Sequence, residues 1–338
     1  MPFRPALLPT AIGSLPHRDP VAAMAVVRRH LPECPYWPQL PRRDRREQMD
    51  LQFSEGLPGL ADGDRGSDLA AAGEAIYRRY LEADPVLAIG PERAAGLYAL
   101  AGSGPLGRAV AVKGQITGPL TLGLSLEDGS GRPLLYREDA MDLVVKVLAM
   151  RARWQERFLA RLNPRTIIFV DEPSLATYGS GFFAYDRAAV IAWLTEVLEA
   201  LTGLRGIHCC ANTDWPAVLA TPAHIVSFDA WGFARQLALY AAEVGAFLDR
   251  GGMLAWGIVP ASAEVATLGA SGIADRLEQS LDLFSARGLD RRLLLERALV
   301  TPSCGLGSLE EATAARALEL TGQVAGIMRE RHGLGRED

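Results

Sequence analysis

Cysteine is scarce. The 338-residue chain has four, too few to frame a disulfide-stapled scaffold of this length. No apolar stretch approaches the roughly 20 uncharged residues that a membrane span needs, and Met1 to Pro9 lacks the apolar centre of a secretory signal. There is no basic excess: 35 Lys and Arg stand against 40 Asp and Glu, a net charge of −5. Neither nucleic acid nor an anionic membrane is therefore an expected partner. No Gly-x-Gly-x-x-Gly follows the first strand-like run, which argues against a dinucleotide fold. Internal repeats and low-complexity tracts are also missing. The expectation is a cytoplasmic globular protein with reduced thiols.

With 49% hydrophobic and 22% charged residues, the chain can bury a large core. Length alone allows one large α/β domain or two modest ones. The dominant pattern is short Val/Ile/Leu runs alternating with amphipathic stretches. Strands are expected at Leu8–Ile12, Val110–Gly114, Thr166–Val170, Leu204–Ile207, Ile225–Phe228, Met253–Ile258 and Ala298–Thr301, with a poorly marked eighth at Leu51–Ser54. Helices are expected at Val21–His30, Asp68–Leu81, Glu138–Leu162, Arg187–Leu201, Trp215–Ala220, Phe233–Asp249, Ala263–Ala286 and Leu309–Arg331. Continuous apolar strands separated by helices indicate a parallel sheet covered on both faces. About eight such units suit a single (β/α)8 TIM barrel over residues 1–338. Within it, 31–66 reads as an insertion or lid and 333–338 as a frayed tail. Arg42 to Arg46 is either a solvated loop or part of that lid, with Tyr36 and Trp37 covering substrate.

Polar or unusual residues follow nearly every expected strand: Gly13-Ser14, Gln115 to Pro119, Asp171-Glu172-Pro173, His208 with Cys210, Asp229, Pro260-Ala261-Ser262, and Cys304. A barrel collects carboxyl ends at one mouth, so these distant residues are expected to share a pocket. His208 and Cys210, two apart on extended backbone, point the same way. With Cys304 they form one imidazole and two thiols, a set suited to Zn²⁺ with a fourth position open. The bland alternative is buried cysteines beside a core histidine. Asp229 ends the next strand and is the candidate fourth ligand, or else a helix cap. Cys209 points the other way, toward core. His224 precedes its strand, at the wrong end.

Two thiolates give electron density to zinc and make it a poor acid toward water. They suit another task, which is to bind a substrate thiol and keep it deprotonated, because coordination removes a proton that a free thiol keeps up to about pH 8.5. The product is a sulfur nucleophile ready to accept an alkyl group.

The order His-x-Cys, an acid on the next strand, then Cys-Gly-Leu resembles the catalytic barrel of the cobalamin-independent methionine synthase family. Ile12-Gly13-Ser14, Ile116-Thr117-Gly118-Pro119 and Asp171-Glu172-Pro173 belong to the same resemblance, which extends from about Thr10 to Leu306. It implies a zinc-bound homocysteine thiolate that is methylated to methionine. His208, Cys210 and Cys304 match the zinc ligands, and Asp229 stands where the family has Glu. Ser14 and Asp171 match residues that hold the amino-acid carboxylate and amine. Glu172 is an understudy to Asp171, and Glu55 the nearest match to a second amine-binding Glu. His17 is a possible acid for a folate leaving group, or a loop residue. The chain has no length for the additional N-terminal barrel of the full synthase, so it looks like the short single-barrel relatives. The expected donor is methylcobalamin, a methyl-corrinoid protein or methyltetrahydrofolate.

The same superfamily includes methylcobalamin:coenzyme M methyltransferases and the metal-free uroporphyrinogen decarboxylase. The latter would call for arginines at the strand ends. A non-catalytic thiol-binding barrel is the remaining alternative.

Overall fold

Val/Ile/Leu-rich runs become strands here because each is buried on both faces. The computed structural model describes residues 3–57, 69–128, 130–177 and 186–335. Its strands are β1 Leu8–Pro9, β2 Val112–Thr117, β3 Thr166–Asp171, β4 Leu204–Cys209, β5 Ile225–Phe228, β6 Met253–Val259 and β7 Ala298–Pro302. They form one sheet in the order β1-β7-β6-β5-β4-β3-β2, every pair parallel. Helices lie between successive strands, so the architecture is α/β.

The two outer strands, β1 and β2, meet across one extended segment. Tyr36 bridges Lys113 of β2, and Gln39 bridges Ser14 just past β1, both parallel. Backbone hydrogen bonds complete the seam: Lys113 N to Pro35 O at 2.9 Å, Gln39 N to Gly13 O at 3.1 Å, and Leu15 N to Gln39 O at 2.9 Å. The sheet is therefore curled. Leu51–Ser54, expected as the eighth strand, is a turn, with Ser54 N bonded to Leu51 O. The extended segment sits earlier, where two prolines and two aromatics replace the aliphatic run that marks the other strands.

Alternation along the strands separates two cores. Leu8, Ile167, Phe169, Ile225, Met253, Ala255 and Leu299 pack together inside the curl. Ile168, Val170, Ile207, Cys209, Val226, Phe228, Leu254, Trp256 and Val300 pack on the opposite face with the helices. Each such large apolar side chain contributes about 1.5–3 kcal/mol on burial, so register is held from both sides.

Tyr36 and Trp37, expected as substrate covers, are fully buried, and Trp37 Nε1 donates to Gln155 Oε1 of the helix Glu138–Ala160 at 2.9 Å. Arg42 donates to Ser308 O, and Arg43 pairs with buried Glu47 at 2.6 Å. Residues 58–66 of the expected lid lie outside the described residues, as do Asp68 and the tail residues 336–338. The helix expected at Phe233–Asp249 is two, Ala230–Ala238 and Ala241–Asp249. The one expected at Ala263–Ala286 is a 3₁₀ turn and a helix from Ala270. No helix among the described residues is long and apolar enough to cross a membrane.

Candidate metal centre

One register row crosses the whole sheet: Thr117, Asp171, His208, Ser227, Ala255, Leu299 and Leu8 are successive neighbours from β2 to β1. Its polar half lies on β2 to β5, at the carboxyl ends of β2, β3 and β4. β4 runs one residue past His208, through Cys209, before the chain turns at Cys210. β7 ends at Pro302, and Cys304 lies in the turn beyond.

Ligand atoms of His208, Cys210 and Cys304 all lie within 4.8 Å of one another. Tetrahedral zinc, with bonds of about 2.0–2.3 Å, spaces its ligand atoms roughly 3.3–3.8 Å apart. His208 is 3% exposed. Its Nδ1 lies 3.0 Å from Ser227 Oγ, while its buried Nε2 has no hydrogen-bond partner. An orphaned ring nitrogen beside two sulfurs is what a soft-to-borderline divalent cation would satisfy. These residues fit zinc.

The two sulfurs are not equivalent. A hydrogen bond from Cys304 holds Cys210 well down, to about 4, with the His208 imidazole helping against the cost of burial. The same contact pushes the Cys304 thiol upward, burial adding to it. The pair thus carries one negative charge and shares a remaining proton that a cation would displace. Cys209 takes no part: it is 1% exposed, packs on the helix side, and burial pushes its thiol up to about 12.

Asp171 neighbours His208 in the row, and its Oδ1 is buried without a partner. Desolvation lifts this carboxyl to about 6, against the pull of Lys113 and His208. Ser14 is brought against the Cys304 turn. Its Oγ accepts from Gly307 N at 3.2 Å, and its carbonyl accepts from Leu306 N at 3.0 Å. A Cβ at Gly305 would lie 2.3 Å from Ser14 Oγ, so the Gly-Ser and Cys-Gly pieces interlock.

Three expected site residues have partners outside the three-residue cluster. Asp229 caps the helix Ala230–Ala238 by accepting from Gly232 N at 2.7 Å, and it is outside the three-residue cluster. Glu172 is fully buried at the start of the helix Pro119–Ser125. There it accepts from Leu120 N at 2.7 Å, Thr121 N at 2.9 Å and Thr121 Oγ1 at 2.6 Å. Desolvation still raises it, to about 7. Glu55 is half-exposed, 3.7 Å from Arg93 and 3.8 Å from Arg151, and lines a separate groove with Arg79 and Met150. Its near-match in sequence carried no register with the strand ends. His17 is buried, with Nε2 3.9 Å from Glu311.

Two site-facing residues were missed in the sequence. Ser227 sits mid-strand, and its inward parity with His208 was the available signal. In the sequence, Lys113 reads as one more residue of an apolar run. It is fully buried inside the curl, donating to Ile12 O, with Nζ 4.3 Å from the Phe169 ring centroid. Burial lowers it from 10.5 to about 8. Below pH 8 it is charged in both folded and unfolded chains, and the desolvation cost is borne in full. Between pH 8 and 10.5 the unfolded chain binds more protons, so this group makes stability rise with pH. That window is worth about 3 kcal/mol. Urea unfolding of wild type and Lys113→Met from about pH 7 to 10 should show their stability difference shifting in favour of wild type by most of that amount. A constant difference would mean an ordinary lysine.

No protein-family model matches the chain, and no curated protein does. Among solved structures, it is similar to a B12-independent methionine synthase from Shewanella sp. W3-18-1 in complex with selenomethionine. Identity is 18% and the TM-score 0.48, over 70% of this chain and 66% of that one. The chain therefore spans just under two thirds of that protein's length.

Proposed function

We propose that the protein is a zinc-dependent thiol S-methyltransferase whose acceptor is homocysteine. The observation that carries this reading is the meeting of His208, Cys210 and Cys304 within 4.8 Å, with Nε2 of His208 buried and unpartnered. Zinc, when bound, would keep an acceptor thiol deprotonated near neutral pH. His208, Cys210 and Cys304 would hold it, and the fourth place is left for the acceptor. Asp229 remains the carboxylate candidate for that place in the resting protein, at the expense of its helix cap.

The chain's own residues supply recognition. Asp171 offers a buried, unpartnered oxygen to the acceptor's ammonium. Ser14 Oγ, already accepting from Gly307 N, keeps its proton free to donate to the carboxylate. Glu172 holds the Gly118–Thr121 turn beside them. We read the curled sheet, with Glu33–Gln39 as its eighth wall element, as a single (β/α)8 barrel, and the protein as cytoplasmic. A metal-free decarboxylase needs cationic strand ends, and none of the seven described strands ends in arginine.

The test is a donor-by-acceptor matrix on zinc-loaded protein: methylcobalamin, methyl-corrinoid protein and methyltetrahydrofolate against homocysteine and coenzyme M. Stoichiometric zinc with methionine formation is expected. Methylation of coenzyme M alone would reassign the acceptor. Zinc without methylation of any thiol would leave a thiol-binding protein and end the enzymatic reading.

A further inference from the structure

We infer that Ser227 is a positioning residue for the metal centre, acting through His208 and never touching the metal. The inference rests on the zinc-site reading but not on methyl transfer. Ser227 is fully buried on the inner face of β5, between Ile225 below it in the strand and Ala255 beside it on β6. Among the described residues its hydroxyl has one hydrogen-bond partner, His208 Nδ1 at 3.0 Å. A buried hydroxyl in an otherwise apolar stretch is a cost unless it is bonded, so its single bond says what it is for.

That bond discriminates between the two neutral forms of the ring. If Nδ1 carries the proton, it donates to Ser227 Oγ, and the Nε2 lone pair is free beside Cys210 and Cys304. If Nε2 carries the proton, its N–H faces the Cys210 and Cys304 sulfurs as a donor, and that nitrogen cannot ligate a cation. The first form is the only one that can ligate through Nε2. Ser227 thus selects the tautomer and sets the ring's angle, as the outer partners of metal-bound histidines do. Parallel register makes the pairing robust, because His208 and Ser227 are direct neighbours in the row.

The experiment measures zinc affinity of the full chain by chelator competition, without donor or acceptor. Ser227→Ala is expected to bind zinc about 10–100-fold more weakly, and Ser227→Thr to recover most of the loss. Long-range ¹H–¹⁵N spectra of the zinc-loaded wild type should show His208 protonated on Nδ1, and Ser227→Ala should show a mixture. The spectra of wild type decide the matter even if the alanine variant does not fold. Unchanged zinc affinity in Ser227→Ala, or an Nε2-protonated wild-type ring, overturns the role of Ser227 alone. A wild type that takes up no zinc overturns this inference and the metal reading together. Tight zinc with no methyl transfer overturns only the proposed function.

Discussion

Cys304→Ser is expected to lose zinc and, with it, all methyl transfer. The substitution keeps the shape of the turn after β7 but exchanges a thiolate for a hydroxyl that does not ionise near neutral pH. Structural zinc sites release about 10–16 kcal/mol on binding, so one of three ligands stands for about 3–5 kcal/mol. Affinity should fall about 10²–10⁴-fold. The same change removes the hydrogen bond that holds Cys210 as a thiolate, so two of three ligands are weakened by one substitution. Cys209→Ser is the control. Its side chain faces the helices and bonds to Ala211 O, so zinc should be retained while stability falls by about 1–2 kcal/mol. Metal content after gel filtration, with turnover on the reconstituted proteins, reads both. Wild-type-like turnover of zinc-replete Cys304→Ser would remove the metal centre from the account.

Glu172→Ala is expected to produce the largest loss of stability, about 3–5 kcal/mol, because it strands two backbone N–H groups and a hydroxyl in a dry interior. Those donors open the helix Pro119–Ser125, where an anion is also favoured by the helix dipole. Gly118 belongs to the same device. A Cβ there would lie 2.2 Å from the Glu172 side chain, so Gly118→Ala should displace the carboxylate and cost a similar amount. Glu172→Gln keeps one acceptor but turns an amide N–H toward donors, and should fall between wild type and alanine. Urea unfolding gives the stabilities, and zinc uptake by the folded fraction shows whether the centre survives. If Glu172→Ala kept wild-type stability but lost affinity for the acceptor thiol, the substrate-binding role expected from sequence would be right and the capping role wrong.

Glu172 also shows why some residues resisted reading. The Asp171-Glu172-Pro173 motif marks two carboxylates at a strand end, but alternation sends them to opposite faces of the sheet. Only the packed structure shows that one meets His208 and the other a helix start. Asp229 is the same lesson at one remove: an acid at a strand end can serve a metal or the next helix, and its choice depends on where Gly232 N lies. Lys113 was invisible because a single charge in an apolar run gives no sign of burial without the strands around it. Glu55 was only the nearest match to the second amine-binding Glu, and its carboxylate lies 3.7 Å from Arg93 and 3.8 Å from Arg151.

The alternation of aliphatic runs with amphipathic stretches was enough to determine a parallel α/β sheet, five of its strands to within two residues, and the opposite facing of His208 and Cys209. Those features depend on local periodicity, which survives in one dimension. The closing segment at Tyr36–Gln39, the bond from Ser227 to His208 and the convergence of Cys304 on Cys210 depend on register between strands distant in sequence. Register is set by both faces of the sheet packing at once, and that was decided only when the sheet curled.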